Sequence, residues 1–130
     1  MILFDTDVCI EILRGNKKII EKRKEYDMPV AISFMTVGEL YYGVENSNYR
    51  NENLLLVEQF LLTVNIIDTD LSIMKRFGQI KANLKKNNIL LADADILIGA
   101  TALEKCKILI TGNVEHFNRI EGLRIENWLV

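Results

Sequence analysis

The stretch that decides the fold is MILFDTDVCIEIL, residues 1–13, in which an apolar run ends abruptly in two aspartates. The apolar residues Met1–Phe4 predict a short buried strand, and the segment after them has the apolar spacing of a helix. Either Thr6 or Asp7 can cap that helix, because both side chains accept hydrogen bonds from backbone N–H groups. Asp5 and Asp7 thus stand where a strand gives way to a helix.

The same alternation of strand and helix continues along the chain. Further strands are predicted at Val30–Ser33, Val64–Asp68 and Lys107–Thr111, and segments with helical spacing separate them. The longest predicted helix covers Asp70–Lys86, and Ile89–Leu91 can be either a strand or a buried loop. The apolar stripe of the long helix comprises Leu71, Met74, Phe77, Ile80 and Leu84. This order is typical of an α/β fold with a mainly parallel, short-stranded sheet and helices on both faces.

Length and composition predict a single soluble domain spanning residues 1–130. The chain has one proline, 49% hydrophobic residues and 26% charged residues, which is usual for a globular protein. No apolar run approaches the roughly 18 residues that cross a bilayer, and Asp5 interrupts the N-terminus too early for a secretory signal. We therefore expect a cytoplasmic protein without membrane contact, in which Cys9 and Cys106 are core thiols.

Two basic blocks stand out against a net charge of −2. The segment 14–24 holds six basic residues and one acid, and the segment 74–86 holds five basic residues and no acid. Each block alone is explained by a solvated helix face. Together with clustered carboxylates, they suggest basic walls beside an acidic pocket.

Three acids near the first two strands each have an ordinary structural explanation. Asp5 and Asp7 can be helix caps, and the helix dipole favours their charge there. Glu39 follows Thr36 in TVGE, the pattern of a capping box, which alone accounts for the glutamate. However, this helix also begins directly after a strand, so its first turn faces the same crevice as Asp5.

Three polar residues further along the chain raise the same question. Residues two apart on a helix point about 200° apart, so only one of Asp93 and Asp95 is expected to reach the crevice. Asp95 precedes the apolar run ILI, and an aspartate at the buried start of a helix needs compensation. Asp93 is then the helix cap. Asn113 follows the last strong strand and, by itself, is explained as a turn or cap residue.

The joint placement of these residues favours a metal site. Asp5, Glu39, Asp95 and Asn113 all lie at strand-to-helix junctions or just inside a helix start. Like charges gathered in one crevice repel, and a hard divalent cation with oxygen ligands relieves that repulsion. Mg²⁺ is expected, with Mn²⁺ as a substitute, because no Cys or His cluster is available for zinc.

Three segments together resemble the PIN-domain ribonucleases of the VapC toxin type. They are FDTD (residues 4–7), ISFMTVGELYYGVE (32–45) and DADILIGATALEKCKILITGNVEHFNRIEGLRIENW (93–128). The resemblance covers nearly the whole chain. It implies a single PIN-like domain that is a metal-dependent endoribonuclease, is inhibited by a cognate antitoxin and forms a homodimer.

The resemblance also implies roles for individual residues. The acids that match the family's three, and are expected to hold the metal and be catalytic, are Asp5, Glu39 and Asp95. Asn113 falls where some members carry a fourth acid and others an asparagine. Asp7 stands where members commonly have asparagine, and Asp7 or Asp93 can supply a ligand that Asn113 does not. Asp7 is otherwise expected to be a cap with a secondary role.

The expected chemistry is phosphodiester hydrolysis in RNA. Carboxylate-held Mg²⁺ can lower the pKa of bound water and orient it for in-line attack. Basic side chains would steer RNA phosphates toward the acidic pocket. The residues assigned to this steering are Arg14, Lys17, Lys18, Lys81 and Lys85.

A phosphatase of the haloacid-dehalogenase type is the alternative. Its Asp-x-Asp signature after an apolar strand is satisfied by ILFDTDV, with Asp5 as the nucleophile and Asp7 as the general acid. The chain is short for that fold, and neither Glu39 nor the segment DILIGATA would have a role. The nuclease interpretation is therefore favoured.

Overall fold

The computed structural model describes residues 1–130 and contains seven helices and five strands. The strands are β1 (Ile2–Phe4), β2 (Val30–Ser33), β3 (Asn65–Ile67), β4 (Ile108–Ile110) and β5 (Ile125–Glu126). The helices are α1 (Thr6–Leu13), α2 (Lys17–Glu25), α3 (Phe34–Glu45), α4 (Arg50–Leu61), α5 (Leu71–Lys86), α6 (Asp93–Lys105) and α7 (Val114–Phe117). No helix is long and apolar enough to cross a membrane.

The five strands form one parallel sheet in the order β3-β2-β1-β4-β5. The chain builds the sheet outward from β1 to β3 on one side and then returns to add β4 and β5 on the other. β1 and β4 pair in register from Ile2 with Ile108 to Phe4 with Ile110. The direction of winding reverses between these two strands, which is where parallel sheets open a crevice for ligands at their carboxyl edge.

Side chains alternate between two apolar layers, one on each face of the sheet. Ile2 and Phe4 of β1 belong to one buried cluster, and Leu3 between them belongs to the other. This follows from the period-two geometry of a strand, because successive side chains point to opposite faces. Burial on both faces confirms the predicted α/β fold with helices on each side of the sheet.

Helix α5 is rotated relative to the predicted apolar stripe. Leu71 and Met74 are exposed, whereas Ile73 is fully buried together with Ile80 and Leu84. Since α5 packs against α6, the face that is buried is the one that meets α6, and two of the predicted stripe residues lie outside it.

The segment Ile89–Leu91 forms neither the strand nor the buried loop that were the two expectations. Its backbone lies outside the sheet, and Leu90 is 92% exposed. Asn88, just before it, adopts a left-handed conformation with φ 56° at the end of α5. Asparagine tolerates this conformation better than most residues, so the chain turns here and cannot continue as helix.

The C-terminal residues pack back onto the start of the sheet. Trp128 is 1% exposed and meets the Phe4 ring edge-on, with ring centroids 5.5 Å apart. Its indole N–H donates to Glu126 Oε1 at 2.9 Å, and the Tyr26 hydroxyl donates to the same oxygen at 2.6 Å. These contacts hold the C-terminal residues 126–128 against β1, the strand that directly precedes Asp5.

Candidate active site

Asp5 occupies the carboxyl end of β1 and is the N-cap of α1. Its side chain is buried, and Oδ1 accepts a hydrogen bond from the Thr6 backbone N–H at 2.8 Å. Oδ2 accepts from the Thr111 hydroxyl at 2.7 Å, which ties β1 to the residue after β4. The prediction that Thr6 or Asp7 caps this helix was wrong, because the helix already begins at Thr6, while the explanation of Asp5 as a cap is observed.

Asp7 lies in the first turn of α1 and faces the same crevice. Its Oδ1 accepts from the Val8 backbone N–H at 2.7 Å, and its Oδ2 accepts from the Gly112 backbone N–H at 2.9 Å. A Cβ atom at Gly112 would lie 2.4 Å from Leu129 Cδ1 and 2.9 Å from Asp7 Oδ2. A larger residue at position 112 would therefore require the ends of the Leu129 and Asp7 side chains to shift.

Burial and mutual repulsion perturb both carboxyl groups. Burial, together with the charge of Asp7, raises the pKa of Asp5 to about 7, although hydrogen bonds from Thr111 and Thr6 oppose the shift. Burial also raises the pKa of Asp7, and the charge of Asp95 adds to that effect. Asp5, Asp7 and Asp95 thus interact electrostatically in one crevice. A cation placed there would remove the cost of keeping them ionised.

Asp95 projects from the first turn of α6 toward α7. Its Oδ2 lies 3.4 Å from Nδ1 of His116, the only histidine of the chain. Asp93, two residues earlier, points to the other flank of the helix and pairs with Lys81 at 2.9 Å. The prediction that Asp93 caps α6 was wrong, because the cap position is Ala92 and no side chain caps this helix.

Glu39 is tied to Thr6, the residue between Asp5 and Asp7, and Thr6 is the end of a chain of hydroxyl groups. The Thr6 hydroxyl donates to Glu39 Oε1 at 2.6 Å, and the hydroxyls of Thr36 and Thr6 are 3.0 Å apart. Because each hydroxyl has one proton and Glu39 only accepts, the Thr36 hydroxyl donates to Thr6. The Ser33 hydroxyl in turn donates to Thr36 at 3.3 Å.

The capping box predicted for Thr36 and Glu39 does not form. Helix α3 begins at Phe34, and Ser33 is its N-cap, accepting from the Thr36 backbone N–H at 3.0 Å. Glu39 therefore lies in the second turn, too far along the helix to reach back to the cap. Its carboxylate is free to serve the crevice, with one oxygen already oriented by Thr6.

Asn113 follows β4 next to the Asp5 partner Thr111. Its backbone N–H donates to the Thr111 hydroxyl oxygen at 2.9 Å, and it is the N-cap residue of α7 without a side-chain capping bond. The position predicted for it is therefore observed, while its amide forms no hydrogen bond with the protein.

The residues predicted to steer RNA lie in two regions, one near the crevice and one further from it. Lys81 and Lys85 lie on α5, and the pair between Lys81 and Asp93 places that lysine beside the start of α6. Arg14 lies at the far end of α1, about 13.5 Å from Asp5 along the helix axis. Lys17 and Lys18 begin the next helix.

The donor set of the crevice fits a hard divalent cation. All candidate ligands are oxygens, from Asp5, Asp7, Asp95, Glu39 and the Asn113 amide, and none is a thiolate. No three acidic, cysteine or histidine side chains converge tightly enough in this conformation to form a ready metal cage. Burial and the neighbouring charge of Asp7 raise the pKa of Asp5, and a bound cation would favour its ionised form.

The perturbed pKa of Asp5 predicts an unusual dependence of stability on pH. The pKa is raised from about 4 in the unfolded chain to about 7 in the folded one. The folded state therefore holds a proton that the unfolded state has lost, and the free energy of unfolding should fall as pH rises from about 4 to about 7. Urea titrations of the protein in chelator at pH 5 and pH 7.5 should show lower stability at pH 7.5. Equal stability, or higher stability at pH 7.5, would contradict the assignment.

Several contributors to the site carry no clear sequence signal. Thr6, Thr111 and Gly112 act through hydrogen bonds and close approach, which depend on strands that are distant in sequence. His116 lies three residues after Asn113, and only the helical turn between them hints that it faces Asp95. Asp7 is the exception, because the Asp-x-Asp spacing is apparent in the sequence itself.

Comparison with known proteins places this geometry in context. Residues 2–123 match the family model described as PIN domain. "Ribonuclease VapC2" of Haemophilus influenzae is 34% identical over 98% of this chain and 97% of its own. "tRNA(fMet)-specific endonuclease VapC" of Shigella flexneri is 30% identical over 97% of this chain and 96% of its own. Among solved structures, the fold is similar to that of VapBC2 from Rickettsia felis bound to a DNA fragment from their promoter. The TM-score is 0.93, the sequence identity is 26%, and the match covers 98% of this chain and 99% of the other chain.

Proposed function

The chain belongs to the PIN-domain family, and on that premise we propose that it is a metal-dependent endoribonuclease, the toxin of a toxin–antitoxin pair. The observation that carries the proposal is the crevice in which Asp5, Asp7 and Asp95 interact at the carboxyl edge of the sheet. Relatives of nearly the same length carry names of ribonucleases and endonucleases, which supports RNA as the substrate.

The residues proposed to hold a divalent metal, Mg²⁺ or in its place Mn²⁺, are Asp5, Asp95 and Glu39. When bound, such an ion lowers the pKa of water and neutralises charge on a phosphodiester. Asp7 and Asn113 are secondary candidates, Asp7 because its carboxylate lies in the crevice and Asn113 because it directly follows Thr111 and Gly112, the partners of Asp5 and Asp7. Asp7 adds a negative charge where an asparagine would be neutral, so this site should bind a cation more tightly than one with asparagine at position 7.

Glu39 is proposed to position the attacking water and to accept its proton. The support for this role is geometric: the Thr6 hydroxyl fixes Oε1 at 2.6 Å, so the carboxylate has one preferred orientation and its second oxygen remains available. An orientation fixed before the substrate arrives avoids an entropic cost at the moment of reaction.

The proposed partners are an RNA substrate, a cognate antitoxin and a second copy of the chain. Solved structures similar to this chain are described as VapBC complexes, which supports an antitoxin partner. The apolar side chains of Tyr42 and Leu55 are exposed on α3 and α4 and are available for a protein interface.

A haloacid-dehalogenase-type phosphatase has no support among these findings. The family model that matches residues 2–123 is that of the PIN domain. Glu39, which has no role in such a phosphatase, accepts a hydrogen bond from Thr6, the residue between Asp5 and Asp7.

One assay tests the proposal directly. The protein, freed of any antitoxin, is incubated with structured RNA and with a phosphomonoester, each in Mg²⁺, Mn²⁺ or chelator. We expect RNA cleavage that requires metal, is lost in Asp95→Asn, and is accompanied by no phosphomonoester turnover. Asp27→Asn is the matched control, because Asp27 is an exposed carboxylate before β2 with no ion pair. Phosphatase activity that survives Asp95→Asn but is lost in Asp5→Asn would overturn the proposal.

A further inference from the structure

A second cavity lies on the opposite flank of the α6 start from Asp95. It has a volume of about 390 Å³ and lies between the end of α5, the loop 87–92 and the first turn of α6. Its lining residues are Lys81, Leu84, Lys85, Asn88, Ile89, Leu90, Leu91 and Ile96. This volume falls in the range of pockets that hold small planar ligands.

The walls of this cavity are apolar, and its rim is basic. Ile96 and Leu84 are buried at its base, while Leu90 projects from the rim with 92% of its surface exposed. Lys85 takes part in no ion pair. Lys81 pairs only with Asp93, in a bridge whose two side chains are more than half exposed. Exposed pairs of this kind contribute little, so Lys81 can exchange its partner for a phosphate at small cost.

The loop that forms the rim is held in place by further polar contacts. The Arg119 guanidinium donates to the Leu90 backbone carbonyl at 3.3 Å, which adds a third cation next to the loop. Asn88 presents a primary amide, which can donate to and accept from the edge of a base. An apolar slot can cover the face of an unstacked base, an amide can bond its edge, and cations can contact the phosphates of single-stranded RNA.

We propose that this cavity, which we term the α5–α6 slot, binds a base of the RNA strand whose scissile phosphate lies at the carboxylates. The inference rests on the proposed function, because it assigns a binding place to the same substrate. Asp93 and Asp95 diverge across one helix, so the slot and the carboxylates are about 10 Å apart, on the two sides of α6. A strand that crosses the start of α6 can therefore contact both places with nearby nucleotides.

The charge around the slot favours RNA over an acidic protein segment or a lipid. Lys81 and Lys85 line the slot from α5, and Arg119 contacts the loop at Leu90, so cations are available for phosphates on both sides of a bound base. The slot has a volume of about 390 Å³ and is enclosed by two helices and a loop, which suits one base more than an extended apolar helix face.

Binding measurements on an inactive protein test this assignment without depending on cleavage. In an Asp95→Asn background and in chelator, fluorescence anisotropy measures the affinity for a 12-nucleotide single-stranded RNA and for a matched oligonucleotide that contains abasic positions. Lys85→Gln should weaken RNA binding about threefold to tenfold and reduce the salt dependence by close to one phosphate contact. Lys86→Gln removes the same charge from the next residue, which does not line the slot, and should weaken binding less than twofold.

Leu90→Ser separates base recognition from simple charge attraction. Leu90 is exposed, so its replacement should leave the fold intact, and we expect about a fivefold loss of affinity for the base-containing RNA only. Equal effects of Lys85→Gln and Lys86→Gln would overturn the proposal, as would an unchanged RNA affinity in Leu90→Ser. A Leu90→Ser variant that loses affinity for the purified antitoxin but not for RNA would show that the slot binds protein instead. Failure of the wild type to cleave RNA would count against the proposed function. The binding measurements would still show whether the slot binds RNA.

Discussion

Asp5→Asn is expected to remove RNA cleavage and, at the same time, to make the metal-free protein more stable at pH 7.5. Cleavage should fall more than about a hundredfold, since even groups that merely orient metal ligands are worth 10-fold to 100-fold. Stability should rise by about 1–3 kcal/mol at pH 7.5, because burial has raised the pKa of Asp5 to about 7 and its ionised form is costly. The measurements are a cleavage assay and urea titrations in chelator.

The same variant has a built-in control in its pH dependence. At pH 5 the Asp5 carboxyl of the wild type is already protonated, so the gain in stability should largely disappear there. Addition of Mg²⁺ at pH 7.5 should stabilise the wild type and not Asp5→Asn. Asp27→Asn, an exposed change of equal charge, should alter stability by less than about 0.5 kcal/mol and leave cleavage intact. Loss of stability in Asp5→Asn at pH 7.5 would show that its hydrogen bonds outweigh its buried charge.

Trp128→Ala should cause the largest loss of stability of any single change near the site, about 3–5 kcal/mol. The indole is 1% exposed and contacts the rings of Phe4 and Tyr26, at centroid distances of 5.5 Å and 4.7 Å. Truncation leaves a cavity behind the strand that ends in Asp5, and it removes one of the two donors to Glu126. Chemical denaturation monitored by circular dichroism measures the loss.

Trp128→Phe distinguishes packing from hydrogen bonding in that result. Phenylalanine keeps a ring against Phe4 but cannot donate to Glu126, so a loss of about 1 kcal/mol is expected from the missing hydrogen bond. Similar losses for Phe and Ala would mean that the hydrogen bond dominates. A loss below about 1 kcal/mol in Trp128→Ala would contradict the buried position of the indole.

The sequence was sufficient for the fold because the signals of strand and helix are local. The alternation that begins at residues 1–13 predicted parallel strands with helices on both faces, and the positions after those strands predicted where the crevice lies. Asp5 could be chosen from this pattern because it follows an apolar run, and Asp95 because it precedes one.

Capping was harder to predict, because neighbouring residues of similar chemistry compete for one role. Ser33 and Thr36 are both good caps, and the choice of Ser33 frees Glu39 from the capping box. Asp5, rather than Asp7, is the cap of α1, so Asp5 keeps an extended backbone and both carboxylates can face the crevice. A shift of two or three residues in where a helix starts thus changes the role of an acid.

Contacts between distant segments were beyond reach of the sequence. The bonds from Thr111 to Asp5 and from Gly112 to Asp7 join residues separated by more than a hundred positions. The exposure of Leu71 and Met74 depends on which side of α5 meets α6. Apolar residues on α5 occupy more than one face of the helix, so their spacing alone does not specify the side that is buried.

The sheet order has a consequence for the protein while it is being synthesised. β1 is made first, but its neighbour β4, together with Asp95, Thr111 and Trp128, comes from the last part of the chain. A nascent polypeptide that extends only to Lys86 already carries Asp5 and Glu39, yet it lacks one side of the central sheet and the third acid. Domains fold as units once their sequence has emerged from the ribosome. On the proposed function, a growing chain therefore gains RNA cleavage only after the segment that carries Asp95 and β4 has been synthesised and folded.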